Sequence, residues 1–432
     1  MGTKLRLTIM NFLQFAVWGA YLTSQGRYLG SIGLGEKIGL FYAIQGIVSI
    51  FMPAIMGIIA DKWIQAQKLL GLCHIMAAAG MIGAGAYGMV AADTVMFGPL
   101  FSLYTFSIAF FMPTIAISNS VAYAILEKDG MDPVKDFPPI RIWGTIGFIC
   151  AMWFVDLAGT DGVPFQASSI QYMVSGCLSL VLAVYAFTLP ECPVSASKER
   201  KSIVEAMGLK AFTLFRQRKM AVFFIFSMLL GVALQITNGF ANPFLSDFGN
   251  LSQYQDTFGV RHSNILISIS QVSETLCILL IPFFLKRYGI KWVMLIAMLA
   301  WVLRFGFFAA GNPGPGVWLF ILSMIVYGVA FDFFNISGSL FVNENTDKSI
   351  RSSAQGLFML MTNGVGAAFG TLGAQEIVNL LVNARRIPAA DGMTDWNAVM
   401  QGWSQSWLIF AGYALIVAIL FALCFKHKHS RS

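Results

Sequence analysis

The chain has 432 residues, of which 57% are hydrophobic and only 11% are charged, and its mean hydropathy is +0.70. Soluble globular proteins carry about 25% charged residues, so this composition excludes a soluble protein and indicates a polytopic membrane protein. The net charge of +7 identifies a partner only once its distribution along the chain is known.

Apolar runs of about 20 residues, the length that crosses a bilayer, recur along the whole chain. The first six cover approximately residues 7–29, 38–60, 69–91, 95–125, 138–159 and 168–189. The second six cover approximately residues 220–246, 262–285, 292–311, 317–343, 350–382 and 403–425. Two sets of six helices joined by one basic connection are the layout of a two-lobed transporter. The sequence therefore predicts an all-α membrane protein with an N-terminal six-helix lobe at 1–190, a cytoplasmic linker with a short amphipathic helix at 191–218, and a C-terminal six-helix lobe at 219–432.

The basic residues are distributed unevenly across these segments. If both termini are cytoplasmic, Arg141 and Arg304 lie within the membrane and five basic residues lie on the outer side. All other Lys and Arg residues fall on the cytoplasmic side. The five are Arg27, Lys37, Arg261, Arg385 and Arg386. This positive-inside bias orients the chain. The basic cluster of the central connection is explained better by contact with anionic lipid than by nucleic acid.

The loop after the second segment carries Gly57, Asp61 and Lys62, and Lys286-Arg287-Tyr-Gly-Ile-Lys291 follows the eighth. This pattern resembles the short cytoplasmic loop of the major facilitator superfamily. A small Gly would let two helices approach, and a carboxylate can pair across the cytoplasmic closure. We predict a cytoplasmic gate at these three residues, with an ordinary charged turn as the alternative.

The fifth segment contains the stretch FPPIRIWGTIGF, Phe137 to Phe148. Its two prolines suit the first turn of a helix, so we predict helix from Ile140 onwards. Arg141, Thr145 and Phe148 then lie on one helical face. A charge inside the bilayer costs about 3 kcal/mol or more, so such an arginine is expected to face a partner, water or a ligand. The alternative is an arginine that extends back to the interface.

Three later segments carry polar side chains at helical spacing. They are Gln235 and Asn238 on the seventh, Gln271 and Glu274 on the eighth, and Tyr327, Phe331, Asp332 and Asn335 on the tenth. Each set occupies one helical face. A single buried amide commonly joins two helices, but this number of polar groups predicts a shared site. Together with Arg141, Thr145 and Phe148, these faces are expected to converge on a central cavity near the midplane.

The types of side chain predict the ligand. Carboxamides donate and accept hydrogen bonds and so suit a neutral ligand, while the aromatic rings offer flat faces for stacking. A neutral molecule with a heteroaromatic ring and a hydroxylated part meets both demands.

The charges of these segments predict a bound proton. Glu274 and Asp332 against Arg141 leave one surplus negative charge, and burial favours a protonated carboxyl group, so one carboxylate is expected to carry a proton. Arg304 has no acidic neighbour in sequence and is expected to extend outward to the interface. Six scattered cysteines form no metal-binding pattern, and we expect neither a metal nor a cofactor.

Several long strings in this sequence are similar to one family. FLQFAVWGAYLT, DFPPIRIWGTIGF, FFIFSMLLGVALQITN, SISQVSETL and SMIVYGVAFDFFNISGS resemble the bacterial nucleoside permeases of the proton-linked nucleoside symporter family, within the major facilitator superfamily. The resemblance runs from about residue 5 to 428. It implies that the protein imports nucleosides across the inner membrane and that the proton gradient drives this import.

The resemblance also implies a set of residues that line the nucleoside site. They are Arg141, Thr145, Phe148, Gln235, Asn238, Gln271, Glu274, Tyr327 and Phe331, with Asp332 adjacent. Glu274, Asp332 and Arg141 are the candidates for proton coupling. The sequence departs from the family in Val382 to Gln401, which is longer, and in Phe248 to His262, which differs; both are expected in outer connections.

The sequence therefore predicts a monomeric transporter without enzymatic activity, whose partners are a nucleoside, a proton and the lipid bilayer but no nucleic acid. A sugar–proton symporter of the same fold is the first alternative. A drug exporter would require a mostly apolar cavity and a fifth helix rich in Gly and Pro, and the fifth segment has no proline beyond its start. A receptor that binds the nucleoside without transporting it is the third.

Overall fold

A computed structural model describes residues 2–192, 209–347, 350–388 and 393–426. The chain divides into two compact units, unit 1 (Met1–Leu34 and Ile44–Met207) and unit 2 (Gly35–Ala43 and Gly208–Ser432). Among the described residues, both units are built almost entirely of helices, because long apolar segments in a bilayer satisfy their backbone hydrogen bonds internally.

Seven helices precede the central connection. They are α1 (Thr3–Gly19), α2 (Gln25–Ser31), α3 (Ile38–Lys62), α4 (Ala66–Ala91), α5 (Phe97–Lys128), α6 (Pro133–Leu157) and α7 (Ile170–Phe187). The helices that follow it are α8 (Arg218–Leu234), α9 (Ile236–Asp247), α10 (Phe258–Arg261), α11 (Ser263–Cys277), α12 (Ile281–Ala310), α13 (Val317–Asn345), α14 (Arg351–Met359), α15 (Ala367–Leu381) and α16 (Trp396–Cys424). A π-helical segment, Leu360–Gly366, joins α14 to α15.

Ten helical stretches of the described residues are long and apolar enough to cross a bilayer. One of them, Ser263–Ala310, has 48 residues, about twice the length that one crossing needs. It contains Gly289 with φ 76°, a left-handed conformation that interrupts a helix, so it accounts for two crossings. The short helices α1 and α2 together cover the first predicted segment. Counted in this way, the described residues contain the twelve predicted segments.

The two units use the same helix pairings. In unit 1, α1 packs on α6, and α4 packs on α5 and α7. In unit 2, α8 packs on the π-helical segment, and α12 packs on α13 and α16. In both cases the first segment of six pairs with the fifth, and the third pairs with the fourth and sixth. This repetition is the pattern of a transporter built from two related six-helix halves.

The start of α6 differs from the prediction. The helix begins at Pro133, so the two prolines at 138 and 139 lie in its second turn and not in its first. The reason is a cap that the apolar pattern does not reveal. Asp136 Oδ2 accepts the backbone N–H of Asp132 (3.1 Å), and Asp136 Oδ1 accepts a hydrogen bond from Lys4 Nζ (2.7 Å). A carboxylate in the first turn stabilises a helix start at this position.

A short hairpin follows α6. Strands β1 (Gly159–Thr160) and β2 (Val163–Pro164) pair antiparallel. The two residues of the turn, Asp161 and Gly162, have φ values of 54° and 80°, as a type I′ turn requires. The hairpin is exposed and joins the fifth predicted segment to the sixth.

The central connection is described only in its last part. The predicted amphipathic helix within 191–218 falls largely on residues 193–208, which lie outside the described residues. Leu209–Arg216 forms a 3-10 helix.

Candidate functional site

Arg141 lies on an aromatic ring of the neighbouring helix in unit 1. Its guanidinium carbon is 3.8 Å from the centroid of Phe15 on α1. Gly144 makes this contact possible, because a Cβ at this position would lie 2.6 Å from the Phe15 ring and 2.8 Å from Arg141 Nη1. The guanidinium is therefore held along the face of α6 that carries Thr145 and Phe148, and it does not extend back towards the start of the helix.

Phe148 is buried on the same face, with 8% of its surface exposed. The Trp18 ring meets it edge-on, with centroids 6.3 Å apart and an interplanar angle of 83°, and Trp18 Nε1 donates to Gln45 Oε1 (3.4 Å). A Cβ at Gly19 would lie 2.3 Å from the Phe148 carbonyl oxygen. The backbone of α6 therefore occupies the space that a side chain at position 19 of α1 would need. Phe15 and Trp18 are absent from the predicted set, although their spacing of three residues places both on one face of α1.

Gln235 lies at a break between two helices of unit 2. The sequence predicts one continuous seventh segment, but α8 ends at Leu234 and α9 begins at Ile236. Asn238 Nδ2 donates to Gln235 Oε1 (2.8 Å), and both side chains are half-buried. The interruption is one residue long, since Gln235 keeps right-handed helical dihedrals and its carbonyl oxygen accepts the Gly239 N–H (3.1 Å).

Gln271 and Glu274 lie one turn apart on α11. Gln271 is buried, with 8% of its surface exposed, and its Oε1 has no hydrogen-bond partner among the described residues. Glu274 is half-buried. A buried carbonyl oxygen without a donor is destabilising unless a ligand or water supplies one, so this side chain is suited to accept a hydrogen bond from a ligand.

Asp332 on α13 is the second carboxylate of this region. It is 5% exposed, and its Oδ2 has no hydrogen-bond partner within the described ranges. Glu274 is close enough to Asp332 for the two to interact electrostatically as like charges. Two neighbouring carboxylates of this kind can share one proton.

Two aromatic rings lie next to each other on α13. Tyr327 and Phe331 are stacked, with centroids 5.6 Å apart and planes inclined by 16°, and Trp301 of α12 meets Tyr327 edge-on at 5.9 Å. We call Tyr327 and Phe331 the aromatic wall. Asn335, a turn beyond Phe331, donates from Nδ2 to the Phe331 carbonyl (2.9 Å) and so supports the backbone of the wall.

Arg304 does not extend outward to the interface, as the sequence predicts. It is 2% exposed and its guanidinium carbon lies 4.5 Å from the centroid of Tyr327. The prediction is wrong because it considers only acidic partners close in sequence, whereas the partners of Arg304 are neutral and lie on other helices.

The predicted cytoplasmic gate is only partly described. The side chains of Asp61 and Lys62 lie outside the described residues, although α3 ends at Lys62. The close helix contact expected at Gly57 is not observed among the described residues, since a Cβ there would have nothing within 4 Å.

The longer connection after α15 is attached to α9 and α16. Arg386 Nη2 lies 2.5 Å from Asp247 Oδ2 at the end of α9, and Trp403 Nε1 of α16 donates to the same oxygen (2.6 Å). Arg385 Nη2 donates to Gln405 Oε1 (2.7 Å). These contacts explain why two arginines can occur on the side of the protein that is otherwise poor in basic residues.

No cluster of metal-ligating residues occurs in the part of the chain that the structure describes.

Comparison with known proteins gives the family. The model of the nucleoside H+ symporter family matches residues 1–430. The xanthosine permease of Escherichia coli is 47% identical over 99% of this chain and 97% of its own length. The nucleoside permease NupG of Escherichia coli is 46% identical over 100% of this chain and 98% of its own length. The crystal structure of the nucleoside transporter NupG superposes with a TM-score of 0.86 at 45% identity, covering 99% of this chain and all of that one.

Proposed function

Since the chain belongs to the nucleoside H+ symporter family, we propose that it imports nucleosides by proton symport through alternating access. It is a multi-pass membrane protein of the major facilitator fold and not an enzyme. The proposed location is the bacterial inner membrane, with both termini cytoplasmic, because this orientation places nearly all basic residues inside. We propose a monomer, and the gate at Gly57, Asp61 and Lys62 remains part of the proposal.

The proposed roles follow from the chemistry of each side chain. Gln235, Asn238, Gln271 and Glu274 hydrogen-bond the nucleoside, and Thr145 supplies a hydroxyl group. The aromatic wall and Phe148 stack on the base or enclose it. Arg141 balances the buried carboxylates. The proposal rests above all on unit 2, where an unpartnered amide oxygen, Gln271 Oε1, occurs on one helix and a pair of stacked rings on another.

Glu274 and Asp332 are proposed to carry the proton. Their mutual repulsion is relieved when one of them is protonated, and Asp332 Oδ2 has no donor among the described residues. Arg304 does not change this proposal, because its hydrogen bonds are to neutral groups. The proton bound to this pair would then leave on the less acidic side of the membrane, which returns the carboxylate pair to its deprotonated state.

A sugar–proton symporter remains the alternative to test. Sugars use amides and carboxylates equally well but make less use of a stacked aromatic surface. The aromatic wall, in which Tyr327 is buried against Trp301 and Phe331 is half-buried, therefore favours a ligand with a flat ring.

Uptake by the purified protein in proteoliposomes tests the proposal. With an imposed gradient, acidic outside, we expect labelled uridine, inosine and xanthosine to accumulate, whereas xylose and maltose do not. A protonophore should abolish accumulation. Accumulation of a sugar, or of nucleoside to the same level without a gradient, would reject the proposed function.

Two variants separate binding from coupling in the same assay. Glu274→Gln and Asp332→Asn are expected to reduce gradient-driven accumulation tenfold or more. If one of the two carboxylates only carries the proton and does not bind the nucleoside, its variant is expected to continue to exchange internal for external nucleoside. Glu376→Gln, which changes an exposed carboxylate of α15, serves as the control. Undiminished accumulation in both variants would exclude these carboxylates from coupling.

A further inference from the structure

Arg304 is a fully buried cation in unit 2 that the proposed mechanism does not use. It is 2% exposed and lies on α12, within the span Ser263–Ala310. No carboxylate lies within ion-pair distance of it in the described part of the chain. A charged side chain inside a membrane is expensive and is by default functional, so its position requires an explanation.

Neutral groups hold the guanidinium in place. Nη1 donates to the Ser323 carbonyl oxygen (2.7 Å) and to Ser270 Oγ (3.3 Å). The hydroxyl group of Ser323 in turn donates to the Arg304 carbonyl oxygen (2.9 Å). These bonds connect α11, α12 and α13, and they fix the direction of the arginine, although Nε has no acceptor among the described residues.

The main surface that the guanidinium contacts is aromatic. Its central carbon lies 4.5 Å from the centroid of Tyr327 and 5.5 Å from that of Phe308. An arginine on a desolvated ring face is attracted by the ring quadrupole. Tyr327 is thereby held on three sides, by Arg304 on a face, by Trp301 at right angles and by Phe331 in a stack.

We propose that Arg304 is a positioning residue for nucleoside binding, which acts by fixing the Tyr327 ring of the aromatic wall. Arg304 does not contact the nucleoside. It holds the Tyr327 ring at the angle at which Phe331 stacks on it, so that the base meets an aromatic pair already in place and the ordering of the ring does not weaken binding. The inference rests on the proposed role of the aromatic wall in the preceding subsection.

The chemistry predicts how replacements differ. Arg304→Met replaces the aliphatic part of the side chain but removes the charge and the hydrogen bonds, so Tyr327 loses one of its three supports. Arg304→Lys keeps the charge but not the planar group that can both lie on a ring and reach the Ser323 carbonyl. We expect Met to weaken binding about tenfold and Lys to have a smaller effect in the same direction.

A double-mutant cycle tests the inference directly. Equilibrium binding of uridine and of inosine is measured for the parent protein, Arg304→Met, Tyr327→Leu and the double variant, with KM and maximal rate of uptake measured in parallel. If Arg304 acts through Tyr327, the double variant binds no more weakly than Tyr327→Leu alone. KM should rise about tenfold in Arg304→Met, whereas the maximal rate stays within about twofold.

The outcomes distinguish this inference from the proposed function. Additive losses in the double variant, or an unchanged KM in Arg304→Met, would overturn the positioning role alone. Normal binding in Tyr327→Leu would overturn the aromatic wall and the present inference with it. Arg261→Gln, which removes an exposed arginine paired with Asp256, is the matched control. If Arg304→Met fails to fold, Arg304→Lys and Ser270→Ala test the same point: each should raise KM with the maximal rate retained, and an unchanged KM in both rejects the inference.

Discussion

At the scale of single residues, each unit places an arginine on an aromatic ring. Arg141 lies on Phe15 and Arg304 on Tyr327. Such a contact contributes about 2 kcal/mol or more when it is desolvated, and a charge inside the bilayer costs about 3 kcal/mol or more. The ring contacts therefore offset part of the cost of each arginine, and the proposed roles in binding and coupling give a reason for its presence.

Replacing Arg141 separates a functional role from a structural one. We expect Arg141→Ala to reduce nucleoside uptake at least tenfold, because the positive charge that is proposed to balance the buried carboxylates is lost, while the amount of protein in the membrane changes by less than about twofold. Uptake normalised to membrane-inserted protein is the measurement, with Arg261→Gln as the control. If normalised uptake survives and expression falls, Arg141 is a structural residue.

The polar faces could be predicted from the sequence, but several of their surroundings could not. Spacing of three and four residues places Gln271 with Glu274 and Arg141 with Thr145, since the helix period alone decides which side chains share a face. The environment of Arg304 depends on a serine carbonyl oxygen and a tyrosine ring from other helices, which no local pattern reveals. The sequence does not predict the break at Gln235, because there is no Gly or Pro within three residues on either side of it.

At the scale of helices, α8 approaches the π-helical segment and α15 at backbone distance. A Cβ at Gly231 would lie 2.3 Å from the Thr362 carbonyl oxygen, and a Cβ at Gly370 would lie 2.2 Å from that of Val232. Close approach at small residues is how helices pack in lipid, where no hydrophobic effect drives them together. This contact supports Gln235, which follows α8 directly, so packing at the glycines positions a proposed site residue.

Two glycines of α15 give a matched test of this packing. Gly370→Ala forces a methyl group against the Val232 carbonyl oxygen, and such overpacking costs about 1–3 kcal/mol. We expect a lower midpoint of thermal unfolding for the detergent-purified variant, together with weaker nucleoside binding. Gly373→Ala is the control, since a Cβ at Gly373 would have nothing within 4 Å. Equal unfolding midpoints for the two variants would show that α15 moves away from α8 without loss of stability.

At the scale of the whole molecule, the repeated helix pairings and the distribution of charge together support the proposed orientation in the membrane. Each unit pairs its first segment with the fifth and its third with the fourth and sixth. Six crossings per unit return the chain to the side from which it started, and we propose from the distribution of basic residues that this side is the cytoplasm. In the proposed orientation the hairpin β1–β2 lies outside, and the loop between α3 and α4 lies inside.

Cysteine labelling of intact cells tests the orientation. Thr160→Cys, in the exposed hairpin, is expected to react with a membrane-impermeant maleimide without further treatment. Lys68→Cys, exposed at the start of α4, is expected to react only after the membrane is permeabilised. Labelling above that of the parent chain is the quantity measured, because Cys150, Cys177 and Cys424 are themselves exposed. The reverse pattern would invert the proposed topology.

The π-helical segment Leu360–Gly366 has a consequence for the rotational register of the eleventh segment. A π turn closes its hydrogen bond over one residue more than an α turn does, and each residue of an α-helix advances by about 100°. The extra residue therefore offsets the faces of α14 and α15 from those of a continuous helix by about a quarter of a revolution. In an uninterrupted α-helix, Gly370 would lie about 80° around the axis from Thr362, and the extra residue reduces this angle so that both positions face α8. The π-helical segment thus rotates the contact face of α15 relative to that of α14. The loss of a single residue there would misalign every contact of α15.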